Sequence, residues 1–77
     1  MRFTLDREAN AAFLYLVDEI EPGGADRSSL VALPFKGASV IAVLNADGQV
    51  LGVEFIPASA MFTEKMLMAM EEQQSGR

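Results

Sequence analysis

Asn45-Ala46-Asp47-Gly48-Gln49-Val50-Leu51-Gly52-Val53-Glu54-Phe55-Ile56 is the stretch whose reading decides the fold. Asn45, Asp47 and Gly48 occupy the first, third and fourth places of a type I turn, after which glycine takes the left-handed conformation that other residues avoid. This is the three-residue hairpin loop with a glycine bulge, and it assigns Asn45, Asp47 and Gly48 to the turn itself. The register then sets Asn45 opposite Gln49, Leu44 opposite Val50, Val43 opposite Leu51 and Ala42 opposite Gly52. One face therefore holds Ile41, Val43, Leu51, Val53 and Phe55, and the other Val40, Ala42, Leu44, Val50, Gly52, Glu54 and Ile56. Neither face is polar enough to be the wet side of a sheet. A two-residue loop at Asp47-Gly48 is the competing register, and it leaves both faces equally apolar. The hairpin thus predicts two covering layers, one from the chain's own helix and one from a neighbour.

Outward from the hairpin, whose strands span 39–45 and 49–56, the pattern predicts three more strands. Residues 2–5 alternate Phe3 and Leu5 with Arg2 and Thr4. Residues 11–17 alternate Phe13, Tyr15 and Val17 with Ala12, Leu14 and Leu16, so both faces are apolar and the strand is read as central. Residues 28–33 form a further strand closed by Pro34, whose missing N–H suits a strand end or an edge. Between them, Glu21-Pro22-Gly23-Gly24-Ala25-Asp26 is a loop by every local rule.

After Pro57 the period changes, and Ser59 is read as the N-cap of a helix over about 60–73. Phe62, Met66, Ala69 and Met70 recur at helical spacing, and Leu67 widens the stripe. Met61 and Met68 fall to one side of it, beyond Lys65 and Glu72. Unbranched, polarizable methionines make adaptable contacts, so Met61, Phe62, Met66, Met68 and Met70 form the candidate interface. The fold class expected is α+β: one domain over 1–77, an antiparallel β-sheet of four to five strands followed by a C-terminal α-helix.

A chain of 77 residues buries only about 60–65% of its unfolded surface, so an isolated monomer is marginal. With no cysteine and no histidine, disulfides, thiolate metal sites and the commonest general base are missing, which leaves oligomerisation as the remedy. Hydrophobic residues at 51% agree with apolar surface buried between subunits. The net charge of −5 and six scattered basic residues argue against nucleic acid. No apolar run approaches the length of a membrane span and no secretory signal opens the chain, so a soluble cytoplasmic protein is expected.

Two segments carry a resemblance. Phe3-Thr4-Leu5-Asp6-Arg7-Glu8-Ala9-Asn10-Ala11-Ala12-Phe13-Leu14-Tyr15-Leu16 resembles the Y-D-x-E-A-D-A-L-Y-I-x-L opening of the small prokaryotic domain of unknown function family 2283. Residues 45–59 resemble that family's D-x-D-G-x-I-V-G-I-E-I-L-x-A-S close. The matches fall at Asp6, Glu8, Ala9, Asp47, Gly48, Gly52, Glu54, Ala58 and Ser59. The chain departs from the pattern at Leu5, Asn10, Ala12 and Phe13, and Val43 or Asn45 stands where an acidic residue is usual before the hairpin. The resemblance implies a compact β-rich domain with a helix and says little about mechanism.

Asp6, Glu8, Asp47 and Glu54 are the carboxylates that a motif singles out. Brought together they could do acid–base work or hold a hard cation, but the further ligands of a calcium loop are missing. The simpler reading has Asp6 and Asp47 bonded to their own turns and Glu8 solvated. Glu54 lies within an apolar strand, and Arg2, Arg27 and Lys36 are available as partners. Gly52 is assigned to packing, and no serine or threonine has a histidine to activate it. No catalytic residue, metal or cofactor is assigned. The function expected is a non-enzymatic, homo-oligomeric protein-interaction or regulatory module, with a dimer favoured and a protein partner as a further reading. A binder of apolar small molecules between sheet and helix is the alternative, and a metal-assisted hydrolase comes third.

Overall fold

A computed structural model describes residues 1–31 and 36–75. Five strands form one antiparallel sheet: β1 (Arg2–Asp6), β2 (Ala11–Tyr15), β3 (Arg27–Val31), β4 (Ser39–Leu44) and β5 (Val50–Ile56). Their spatial order is β1-β2-β5-β4-β3. After β2 the chain crosses to the far edge, returns through β4, and β5 closes the sheet by pairing with β2. Two helices follow, α1 (Ala58–Met61) and α2 (Glu64–Ser75), so the architecture is α+β as the sequence predicts. Of the strand expected over 28–33, Ala32 and Leu33 lie outside the described residues, as does Pro34.

The hairpin turn forms as its residues dictate. Gly48 N–H donates to the Asn45 carbonyl at 3.0 Å, Asn45 N–H donates to the Gln49 carbonyl at 3.0 Å, and Gly48 has φ +81°. The Asn45 side chain locks the loop, with its Oδ1 accepting from the N–H groups of Asp47 and Gln49. Asp47 is therefore a donor in a turn that Asn45 holds, a reversal of the role expected for its carboxylate.

The register beyond the turn needs a correction. Leu44 pairs with Val50 as expected, but Val43 then pairs with Gly52, Ala42 with Val53 and Ile41 with Glu54. Leu51 is bulged out of the ladder, and one extra residue moves every later side chain of β5 to the other face relative to β4. Val53 and Phe55 thus share a face with Ala42 and Val40, whereas Gly52, Glu54 and Ile56 share one with Val43, Ile41 and Ser39.

The helical region is divided where one helix is expected. Ser59 lies inside α1, and Pro57 holds the N-cap position without a side-chain cap. Phe62 is extended (φ −125°, ψ 146°), which breaks the helix and turns its ring toward the sheet. The helix restarts under a new cap, the Thr63 hydroxyl oxygen accepting from Met66 N–H at 3.2 Å. Between sheet and helices, Phe62 meets Phe55 and Phe3 at ring-centroid distances of 5.0 and 6.0 Å, both edge-on. Around this cluster Leu5, Ala12, Ala58, Leu67 and Met70 are the buried hydrophobic core among the described residues.

Candidate interaction surface

The pairings divide the sheet into two faces. Phe3, Leu5, Ala12 and Phe55 look toward the helices, and Ala58, Leu67 and Met70 close over them. On the outer face stand Phe13, Tyr15, Ile41, Val43, Ile56 and Leu30, one strand after another. No described helix packs against these residues: α2 lies along β1 and α1 against the end of β5 on the other side. Leu30 on the edge strand is 69% exposed.

The outer face owes its flatness to Gly52. A Cβ there would sit 2.5 Å from two ring carbons of Phe13 and 2.8 Å from the Leu14 carbonyl oxygen. Glycine at this position lets the Phe13 ring lie down over the backbone of the neighbouring strand. Tyr15 then packs edge-on against Phe13 at 4.6 Å, and the Arg2 guanidinium stacks on Tyr15 at 3.9 Å. The same guanidinium donates to the Asp18 carbonyl at 3.0 Å. Glu54 is half-buried in the middle of this surface, opposite Phe13 on one side and Ile41 on the other. Arg2 is the one cation on the described strand positions of that face.

The remaining carboxylates are dispersed. Asp6 caps its own turn, its Oδ1 accepting from Ala9 N–H at 3.1 Å, and Glu8 is exposed. Asp47 lies in the turn before β5, whereas Glu54 is near that strand's far end. Among the described residues no group of three or more His, Cys, Asp or Glu side chains is placed to hold a metal.

The expected interface residues are divided between core and surface. Met70 is buried and Phe62 is locked in the aromatic cluster, so both serve the chain's own packing. Met66 and Met68 are 46% and 57% exposed, and Met61 is half-buried.

Two contacts join the turn after β1 to helices some fifty to sixty residues further along the chain. Asn10, at φ +54°, offers its carbonyl to Ala58 N–H at 2.8 Å and its Oδ1 to Ser59 N–H at 2.9 Å, while its Nδ2 donates to Ser59 Oγ at 2.8 Å. The turn after β1 thereby satisfies the free amides at the start of α1, and the ends of the two motif-bearing segments meet. Arg7 reaches from the same turn to both Glu64 and Glu71 of α2, at 2.9 and 2.8 Å. Hydrogen bonding to Arg7 lowers the Glu71 carboxyl below the usual carboxylate range, and the Arg7 guanidinium is pushed up in turn. The signal was present in the spacing, because two glutamates seven apart share one side of a helix.

Compared with known protein families, curated proteins and solved structures, the chain gives no match in any of the three. Among the described residues no helix is long and apolar enough to cross a membrane.

Proposed function

We propose that the chain is a non-enzymatic interaction module that works as a homo-oligomer. The observation that carries this reading is its surface. A folded monomer of 8.3 kDa exposes about 4,600 Å² by the scaling of area with mass. This chain exposes 5330 Å², a surplus of roughly 750 Å² over that scaling. The core agrees: among the described residues the buried hydrophobic side chains belong to Leu5, Ala12, Ala58, Leu67 and Met70, two of them alanines. Three phenylalanines pack against one another between sheet and helices, and the apolar cavity beside them, lined by Phe3, Met66, Ala69, Met70 and Gln73, holds about 220 Å³, small for a ligand site.

Sedimentation of the whole chain at micromolar concentration tests it. A dimer or higher species is expected, with a melting temperature that rises with protein concentration. A stable monomer throughout would refute it.

A further inference from the structure

Building on the oligomeric reading, we infer that the edge strand β3 pairs antiparallel with β3 of a second copy of this chain across a twofold axis, joining two five-stranded sheets into one. The backbone carries this. Leu44 of β4 turns its carbonyl toward β3, where it accepts from Asp26 N–H at 2.8 Å, while its neighbour Asn45 bonds Gln49 on the other side. Antiparallel pairs alternate between those that exchange hydrogen bonds and those that do not, and the N–H and C=O of one residue point the same way. With Leu44 opposite Arg27, the residues of β3 that bond β4 are therefore Arg27, Ser29 and Val31. The N–H and C=O groups of Ser28 and Leu30 point away from the sheet. Every residue of β3 is exposed, and among the described residues no hydrogen bond reaches those outward groups.

Their spacing is complementary to itself. With the axis at Ser29, Ser28 of each chain stands opposite Leu30 of the other, and each such pair exchanges both of its open bonds. The side chains agree with this register. The two copies of Leu30, exposed in the single chain, become diagonal neighbours on the outer face, within reach of one another. Val31, also exposed, comes to lie opposite the aliphatic stem of Arg27, and the two copies of Arg27 stay at opposite ends of the paired strands.

The other edge is already occupied. There α2 lies along β1, and Gln74 Oε1 takes the Leu5 N–H. A sheet open at one edge closes its pairing at two copies and does not run on into a fibre.

The test exploits a chain without cysteine. Ser29 and its copy form a pair that exchanges no hydrogen bonds, with Cα atoms about 4.5 Å apart, inside the range that a disulfide spans. Mild oxidation of Ser29→Cys is expected to give a disulfide-linked dimer at least tenfold faster than oxidation of Ala46→Cys, which places the thiol in the exposed hairpin turn. Oxidation no faster than in Ala46→Cys would overturn the edge pairing while sedimentation of the parent leaves the oligomeric reading intact; a parent that is monomeric at every concentration would overturn both. Proline gives the second arm. Ser28→Pro deletes an outward N–H and leaves the bonds to β4 in place, so its association is at least tenfold weaker than the parent's. Undiminished association of Ser28→Pro would likewise overturn the edge pairing.

Discussion

The two faces of the sheet, built from alternate residues of the same strands, solve opposite problems. Over β1, β2 and β5 the helix side closes itself: Phe3 and Phe55 hold Phe62, Leu67 and Met70 pack over Leu5 and Ala12, and Asn10 and Arg7 tie the helices down. The outer side flattens itself, with Phe13 laid over Gly52 and Tyr15 laid against Phe13, and offers its area outward. The contrast teaches that apolar content alone does not mark a core. What separates the faces is whether the same chain supplies a second layer.

The sheet's edges repeat the contrast. Along β1 the Leu5 N–H donates to Gln74 Oε1 of α2, so a side chain occupies a group that would otherwise invite another strand. At the other edge all of Arg27–Val31 is exposed. Arg27, Ser28 and Ser29 make the first part of that edge polar, whereas Leu30 and Val31 leave the rest apolar and open.

Substitutions break or sharpen the comparison to different degrees. Leu67→Ala strikes the closed side and is expected to cost about 2–5 kcal/mol, the range for emptying a buried leucine site, read as loss of cooperative thermal unfolding. Gly52→Ala strikes the junction of the two faces. The Phe13 ring can lift, but the Leu14 carbonyl cannot, so about 1–3 kcal/mol is expected in a denaturant titration. Asn10→Gly keeps the left-handed backbone and deletes the side chain that makes two hydrogen bonds with Ser59, with an expected loss of about 1 kcal/mol. Arg7→Ala is the mildest, because its pairs with Glu64 and Glu71 are solvent-exposed.

That last variant has a pH signature. The Glu71 carboxyl lies below its ordinary 4.5 in the folded state, so its stabilising contribution is present above that value and lost as pH falls through the folded one. Melting temperature is therefore expected to fall on acidification below about 4.5 in the parent chain, and more shallowly in Arg7→Ala.

Much of the fold was legible because its determinants are local. Asn45, Asp47 and Gly48 specify their turn within four residues, and alternation marks the strands. The bulge at Leu51 was not legible, because its fit depends on placing Gly52 beneath Phe13, a residue of another strand. The helix break was hidden for a similar reason: Phe62 leaves the helix to meet Phe3 and Phe55, residues distant in the sequence, and Thr63 then caps the next helix. Of the candidate interface, Met66 and Met68 are exposed and Met70 is buried in the chain's own core, a division that a helical stripe does not reveal because it does not say which of its members reach the sheet. The apolar pattern on both faces of the hairpin was legible from alternation, and the neighbour expected over one of them belongs to the proposed oligomer.

Leu5 and Leu30 stand on the two edge strands, and the exchange of their amides with solvent is the most direct probe of where the second copy sits. Residue-resolved hydrogen exchange across a dilution series should find the Leu30 amide protected in the oligomer and open in the monomer, with the Leu5 amide, held by Gln74, unchanged. A Leu30 amide that exchanges as freely in the oligomer as in the monomer would contradict the account.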